Sequence, residues 1–441
     1  MHGNFWKRMG FAATLLSTLV ACGGGGSSEP VPVPVPPPVL VPLPVAPSIT
    51  QQPVTQSIAA GGSATFTVAA SGDAPIGYQW LRNGVELAAA TSSIFTLSNA
   101  QVSDDGSIWT ARVSNAGGNV LSAGATLTVK TGTLSLFAGN VDLPGTDDGL
   151  GAAARFAFPG GLAVDSAGNV FVADTSHHTI RKISPAGVVS TFAGTAYGSG
   201  DRLDGTGAAA TFSYPAGMAI DGADNLYLVD GFPYSFGLNW NVVRKITPAA
   251  VTSGFFVPGI FPPAIGVDVA GNVYLTGARR VAPDGTQSFF NAPEARWSMD
   301  SLAVDRTGNI FYAVGNTIRR TAPGQPEVIL AGSPGSPPGA VDGVADQARF
   351  NFFHTFGSSR VMTSIAVDGK GNVYVADNGN HLVRRVTPAG VVTTVAGRVG
   401  TREFRPGPLP GQVFEPRGLA VQGDKVLYVT SGNAVLKIEL P

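Results

Sequence analysis

An all-β fold is predicted by the composition and by a repeated strand pattern. The 441-residue chain has 58 glycines and 33 prolines but only 13% charged residues, a balance that suits turn-rich β-structure better than helices. A short apolar strand that usually ends in aspartate occurs six times between residues 162 and 422. The six copies are residues 162–165, 218–221, 265–268, 302–305, 365–368 and 419–422.

Each copy opens a unit of four predicted strands. In the first unit it is followed by strands at 169–174 and 179–183 and, after a Pro-Ala-Gly turn, by a strand at 188–193. Four strands in about 40 residues are typical of a propeller blade. Residues 131–441 are therefore predicted to form a six-bladed β-propeller.

The ring needs one strand from elsewhere, because the sixth unit offers only three strands before Leu440. Residues 133–139 end in Phe-Ala-Gly, as do residues 190–194 in the last strand of the first unit. We therefore expect 133–139 to complete the sixth blade. Closure by this N-terminal strand would pair edges that are otherwise free.

Residues 48–130 resemble bacterial immunoglobulin-like domains, since short strands alternate there with Gly, Ser and Asn turns. Trp80 matches the core tryptophan of that family, and Trp109 stands where the family usually has its corner tyrosine. Val68 and Ala111 occupy the positions of the antibody-domain cysteines. The resemblance implies a β-sandwich, which we expect to serve as a spacer or an adhesive module.

Residues 131–441 resemble NHL-repeat propellers, as the phrase Asn-Val-Tyr-Val-Ala-Asp-Asn-Gly-Asn-His at 372–381 illustrates. The resemblance implies an NHL-type six-bladed β-propeller. Blades 3 and 4 depart from the pattern, because 275–277 and 313–315 lack the aspartate that follows the second strand. The predicted fold is thus an immunoglobulin-like β-sandwich followed by a propeller.

The start of the chain predicts export and anchoring. Residues 1–22 read as a signal peptide, in which Lys7 and Arg8 precede an apolar core, and residues 19–22 resemble the lipobox of bacterial lipoproteins. That resemblance makes Cys22 the lipidated residue; an incidental thiol in an uncleaved anchor is the alternative. The Gly/Ser and then Pro-rich stretch at 23–47 is predicted to be a linker.

Partners and location follow from these features. The formal net charge of −1 gives no basic accumulation, so nucleic acid is not an expected partner. We expect a protein anchored by lipid in the cell envelope, at the outer membrane and facing either the periplasm or the surface. Its other partner would be an unknown glycan or protein ligand.

The loop-rich face of the propeller holds the candidate site residues. The loop at 231–241 is the longest between second and third strands, and its Tyr234, Phe236 and Trp240 could stack on sugar rings. Packing of these aromatic side chains against neighbouring loops is the alternative.

Histidines gather on the same face. His178, His354 and His381 are candidate ligands of zinc or calcium, since amidating lyases with a related propeller bind zinc through histidines of several blades. In the alternative interpretation the histidines only stabilise NHL turns, and no cofactor is expected.

Two further repeats are interpreted as structural. The connections before blades 1, 2 and 5 carry Asp-Gly followed by alanines and an anchoring phenylalanine, at Phe156, Phe212 and Phe350. The aspartates that end the innermost strands are expected to form turns rather than an axial metal ring; they are Asp165, Asp221, Asp268, Asp305 and Asp368.

The sequence therefore predicts a binding or interaction protein. Its inner strands offer Ala, Val, Leu and Ile rather than catalytic groups. The rival hypothesis is a metal-assisted lyase or lactone hydrolase that acts at the loop-rich face, and a scaffold for other envelope proteins is a third.

Overall fold

The computed structural model describes most of both predicted domains. It covers residues 42–198, 201–231, 242–255, 264–275, 277–290, 292, 299–322, 325–352, 354–356, 359–361 and 363–441, with backbone alone at 299–300, 354–356 and 359–361. Its helical segments are single 3-10 turns at Val102–Asp104, Gly151–Ala153, Thr175–His177, Gly207–Ala209, Ala345–Gln347 and Asn378–Asn380. Among the described residues, no helix has the length and apolarity needed to cross a membrane.

The first domain is a β-sandwich, as predicted. Its larger sheet contains six strands, at Gln56–Ala59, Ala125–Lys130, Ile108–Asn115, Gly77–Arg82, Val85–Glu86 and Gly118–Leu121. Facing strands form two pairs, Ala64–Thr67 with Ile94–Leu97 and Ser48–Gln51 with Ala69–Ser71.

Two tryptophans form the centre of the sandwich. Trp80 is fully buried and its Nε1 donates to the Ser92 carbonyl over 2.8 Å. Trp109 stands in place of the corner tyrosine and reaches the backbone through a serine. Its Nε1 donates to Ser107 Oγ over 2.9 Å, and Ser107 Oγ donates to the Asp104 carbonyl. The corner hydrogen bond is therefore kept with different chemistry.

The second domain is a propeller of six antiparallel sheets. From the axis outward the strands of blade 1 are Pro159–Val164, Val170–Asp174, Thr179–Ile183 and Val188–Ala193; of blade 2, Pro215–Ile220, Leu226–Asp230, Val242–Ile246 and Val251–Phe255; of blade 3, Ile265–Val267, Val273–Leu275, Arg279–Val281 and Gln287–Phe289; of blade 4, Met299–Val304, Ile310–Val314, Thr317–Thr321 and Val328–Ala331; of blade 5, Ile365–Val367, Val373–Asp377, Leu382–Val386 and Val391–Gly397; and of blade 6, Pro416–Gln422, Val426–Ser431, Ala434–Glu439 and Thr133–Gly139. A separate hairpin joins His354–Phe356 to Ser359–Val361.

The ring is closed by the N-terminal strand of the propeller, as predicted. Thr133–Gly139 pairs antiparallel with Ala434–Glu439, with Leu134 opposite Ile438. The innermost strands of blades 6 and 1 are also neighbours. Their contact is strengthened by the Thr430 hydroxyl, which donates to the Gly160 carbonyl over 3.1 Å.

Small residues line the inner strands because these strands crowd together near the axis. At Gly266, a Cβ atom would lie 2.3 Å from Leu302 Cδ1 of the next blade. At Gly418, it would lie 2.2 Å from the Gly160 carbonyl oxygen. Neither contact leaves room for a side chain.

The aspartates at the ends of the inner strands form turns, as predicted. Asp165 Oδ1 accepts from the backbone N–H groups of Ala167 and Asn169, and its Oδ2 accepts from the Asn169 amide. Equivalent bonds are made by Asp221, Asp268, Asp305 and Asp368. These carboxylates are thus occupied by their own turns.

Ring closure can be tested at Leu134, which is 1% exposed inside blade 6. The Leu134→Ala variant should lower the free energy of unfolding of the propeller by about 2–5 kcal/mol, because truncation leaves a cavity between paired strands. The exposed Leu143→Ala is the control and should change stability by less than about 0.5 kcal/mol. Equal effects in denaturant unfolding would contradict the closure.

Candidate functional site on the loop-rich face

Three connecting segments lie over the loop-rich face and are here called lids: residues 148–158 before blade 1, 204–214 before blade 2 and 342–352 before blade 5. Each adds a short fifth strand to a blade, at Gly149–Leu150, Gly205–Thr206 and Gly343–Val344. The predicted helical turn follows as a 3-10 turn. The predicted anchors Phe156, Phe212 and Phe350 are all fully buried.

A buried arginine fastens each lid to its blade, an arrangement here called the arginine clasp. In blade 1, Arg181 lies 3.1 Å from Asp174, which ends the second strand, and 2.5 Å from Asp148 of the lid. Arg181 Nη1 also donates to the Arg155 carbonyl, and its guanidinium lies 5.2 Å from the centre of the Phe156 ring. Arg181 Nη2 donates in addition to the Asp147 carbonyl over 3.0 Å, and these five partners compensate a charge that would otherwise be costly to bury.

The same arrangement occurs twice more. In blade 2, Arg244 pairs with Asp230 and Asp204; in blade 5, Arg384 pairs with Asp377 and Asp342. Burial raises the pKa of Asp230 to about 6, against the opposing influence of the Ser213 N–H and Arg244. Burial likewise raises the pKa of Asp377.

In the described parts of blades 3 and 4, whose sequences have no aspartate after the second strand, the matching arginines bond to side chains of the outer part of the blade. Arg279 Nη1 donates a hydrogen bond to Gln287 Oε1 of the outer strand over 2.6 Å, and Arg319 forms an ion pair with Glu327. Within the described residues, the sheets of these two blades also have four strands rather than five. A short fifth strand is described in blades 1, 2 and 5 and also in blade 6, at Gly407–Pro408, whereas the buried arginine that fastens a lid is described in blades 1, 2 and 5.

The turns that carry the predicted histidines are built alike. Thr175–His177 and Asn378–Asn380 form 3-10 turns that end in His178 at φ 60° and His381 at φ 57°. Asp174 accepts from His177 in one turn, and Asp377 accepts from Asn380 in the other.

Each turn also forms a hydrogen bond to the next blade. The Thr175 hydroxyl donates to the Pro215 carbonyl over 2.7 Å, and the Asn378 amide donates to the Pro416 carbonyl over 2.8 Å. The turn residues of blades 1 and 5 thus stabilise the contact with the next blade as well as their own loops.

Strained residues mark the mouth of the central channel. Phe158, Tyr214 and Glu415 each precede the proline that begins an inner strand, and they have φ of 51°, 57° and 45°. Positive φ is unfavourable for such side chains and is found chiefly where surrounding structure holds it for a purpose. These three residues lie at the start of inner strands on the lid side of the propeller.

Two of the three predicted metal ligands, His178 and His381, contact this mouth. The His178 ring lies 4.5 Å from the Tyr214 ring, and burial lowers the pKa of His178. His381 Nδ1 accepts from the Glu415 N–H over 3.2 Å. Residues from blades 1, 2, 5 and 6 are thereby joined around the channel.

A buried ion pair completes the mouth. Arg417 Nη2 donates to Glu415 Oε2 over 3.0 Å, and the Arg417 guanidinium lies 3.7 Å from the centre of the Phe158 ring. Aromatic surface and charge are therefore in direct contact there.

The predicted metal site stays a prediction. In the part of the chain that the structure describes, no three His, Cys, Asp or Glu residues are grouped to hold a metal ion. His354 begins a described strand, but its side chain lies outside the described set, as do Cys22 and the whole aromatic loop with Tyr234, Phe236 and Trp240.

The sequence contained a signal for the arginine clasps that our interpretation missed. The aspartate and arginine are seven residues apart in blades 1 and 5, at Asp174 and Arg181 and at Asp377 and Arg384. On antiparallel strands joined by a short turn, this spacing places both side chains on one face. Arg417 has no such repeat and could not have been found in this way.

The fold and the lids define a class of protein: an immunoglobulin-like domain joined to an NHL-type propeller. Residues 46–115 match the immunoglobulin domain model, and residues 156–183 and 363–385 match the NHL repeat model. Endoglucanase C of Cellulomonas fimi is 39% identical over 93 residues, which cover 20% of this chain and 8% of that protein. The chain thus spans less than a tenth of that curated relative.

Solved structures share the fold over most of the chain. An auxiliary nutrient binding protein of Bacteroides thetaiotaomicron superposes with a TM-score of 0.55 at 16% identity, covering 90% of this chain and 97% of that one. Another, from Bacteroides ovatus, gives 0.54 at 15% identity, covering 90% and 98%. A putative phosphatase of B. thetaiotaomicron gives 0.52 at 14% identity, covering 90% and 97%. Likeness at such identities establishes the fold alone.

The clasp can be tested in blade 5. The Arg384→Met variant should lower the free energy of unfolding by about 3–5 kcal/mol, because it leaves Asp377 buried without its charge partner. Hydrogen exchange at residues 342–352 should accelerate as the lid detaches. Arg385→Met is the matched control, since the adjacent side chain is only half-buried and should cost far less. Unchanged exchange in the lid of the Arg384 variant would contradict the clasp.

Proposed function

We propose that this chain is a lipid-anchored binding protein of the bacterial cell envelope, whose propeller presents its loop-rich face to a ligand. The immunoglobulin-like domain and the linker act as spacers between the anchor at Cys22 and the propeller. The ligand is a glycan or a protein segment of the envelope or its surroundings.

The observation that carries this proposal is the mouth of the channel. Phe158 and Tyr214 are held at positive φ by lids that buried arginines fasten to the blades. Aromatic side chains held in place by a constrained backbone are suited to binding, because the contact surface is ordered before the ligand arrives. The aromatic loop predicted from the sequence, whose Trp240 lies outside the described residues, is a further candidate for the ligand surface.

Two further observations support the proposal. The fold is shared with two solved proteins described as auxiliary nutrient binding proteins, each aligned over nearly its full length. The lipobox-like residues 19–22 precede a Gly/Ser and Pro-rich stretch suited to holding a domain away from a membrane.

A binding screen tests the proposal on the full chain in detergent. We expect one member of a panel of soluble oligosaccharides and peptides to raise the free energy of unfolding of the wild type by about 2.7 kcal/mol at 100 times its Kd. This gain is measured as a rise in the melting temperature. The double variant Tyr214→Ala/Trp240→Ala should lose this gain.

The control is Cys22→Ser, which should release the protein from the membrane fraction and leave ligand affinity unchanged. Retention of the full gain in the double variant would refute binding at the mouth. A Cys22→Ser protein that still fractionates with membranes would refute the anchor.

A metal-assisted lyase or lactone hydrolase is the second candidate, and one observation favours it. His178 Nδ1 is buried and has no hydrogen-bond partner in the described structure, so it is suited to accept a metal bond. Purified protein should then retain about one equivalent of zinc or calcium by elemental analysis, and a His178→Ala/His381→Ala variant should lose it. Well-folded protein without metal would remove this candidate.

A further inference from the structure

The outer edges of four blades are covered by a short strand of the chain itself, here called a covering strand. The covering strands are Gly149–Leu150 in blade 1, Gly205–Thr206 in blade 2, Gly343–Val344 in blade 5 and Gly407–Pro408 in blade 6. Each runs antiparallel to the outer strand of its blade. The six outer edges of the propeller can therefore be compared position by position.

One backbone hydrogen bond recurs in all four covered blades. The residue that follows the covering strand donates its N–H to the carbonyl of the residue just before the outer strand. The four pairs are Gly151 to Gly187 over 2.9 Å, Gly207 to Ala250 over 3.0 Å, Ala345 to Gly390 over 2.8 Å and Leu409 to Gly132 over 3.0 Å.

The residue beneath the covering strand is buried in each of these blades. It is the second residue of the outer strand, and it lies opposite the glycine of the covering strand. The four buried residues are Val189, Thr252, Val392 and Leu134.

The outer edge of blade 3 is bare among the described residues. Its outer strand, Gln287–Phe289, ends the strand order of the sheet. Gln287 lies opposite Val281 of the third strand, as Val189 lies opposite Ile183 in blade 1, and yet Gln287 is exposed. Gly285 matches Gly187, and a Cβ atom built on Gly285 would have no atom within 4 Å.

The length of the connecting segment favours this bare edge. The connection before blade 3 runs over 256–264, whereas the connections that carry covering strands run over 140–158, 194–214, 332–364 and 398–415. Every connection must pass from the outer strand of one blade to the inner strand of the next. A shorter one has less chain to lay along an outer edge on the way.

The bare edge presents unused backbone groups. The Thr286 carbonyl accepts from the Ala282 N–H, and the Phe290 N–H donates to the Ala278 carbonyl, so these residues face the third strand. Because alternate residues of a strand bond to opposite neighbours, the N–H and carbonyl groups of Gln287 and Phe289 face away from the sheet. Such a row of unpaired groups is a template for another strand.

An exposed aromatic side chain adjoins the same edge. The Phe289 side chain is 69% exposed, and the Arg279 guanidinium lies 5.5 Å from the centre of its ring. Cross-strand neighbours on one face of a sheet pack against each other. An apolar residue of an added strand would therefore cover Phe289.

We propose that the outer edge of blade 3 docks an extended segment of another protein, which adds to the sheet as a fifth, antiparallel strand. The backbone of the segment takes the place of a covering strand, donates to the Gly285 carbonyl and pairs with Gln287, while an apolar side chain covers Phe289. The four covered blades carry the inference, because the same kind of edge accepts such a strand in each of them. The proposal is independent of the function proposed for the loop-rich face.

Hydrogen exchange of the full chain with a synthetic peptide of residues 340–348 tests the proposal. This peptide contains the covering strand of blade 5, and its Val341 would meet Phe289 in the register of the covered blades. Saturating peptide should slow exchange of the Gln287 and Phe289 amides at least about tenfold. Phe289→Ala should weaken the binding of the peptide.

Two changes separate backbone pairing from side-chain contact. Gln287→Pro removes the outward N–H, which an edge strand tolerates, and should abolish protection of the Phe289 amide. Gln287→Ala is the matched control, since it keeps the N–H and should be protected like the wild type. A peptide N-methylated at the residue that matches Ala345 cannot donate to the Gly285 carbonyl and should give no protection, which keeps the test valid should the proline variant unfold.

The proposal is overturned when the peptide gives no protection in blade 3, when folded Gln287→Pro is protected like the wild type, or when the methylated peptide protects equally. Sedimentation velocity addresses a second copy of this chain as the occupant. Self-association of the wild type that Gln287→Pro abolishes would assign the edge to that copy and overturn docking of another protein.

Discussion

The loop-rich face depends on the buried arginine at the third strand of blades 1, 2 and 5. Each of these cations joins the third strand of its blade to the end of the second strand and to the lid, whose aromatic anchor it also contacts. Removing any partner would leave charge buried without compensation. The lids are therefore held both by these ion pairs and by their buried phenylalanines, which belong to the apolar cores of the blades.

Much of the architecture could be predicted because the repeats report local chemistry. The Asp-x-x-x-Asn turns, the small residues of the inner strands and the N-terminal closure each follow from residues close in sequence or from a missing strand. The fold class and these turns were confirmed. The Trp109 corner was harder, because its hydrogen bond passes through Ser107, which no family pattern requires.

The candidate sites were less accessible to sequence reasoning because they arise where repeats fail. Positive φ at Tyr214 depends on how a lid meets the next inner strand, which composition does not report. Such a conformation can be recognised only in the structure.

Closure of the ring has a kinetic consequence. Thr133 pairs with Glu439, a partner 306 residues later, so the first strand of the propeller has no neighbour in its own blade until the last strands of the chain are available. Contacts of such sequence separation slow folding, and an unpaired edge is open to association while it waits. The ring therefore forms only after the last strand of the chain has joined the first strand of the propeller in one compartment.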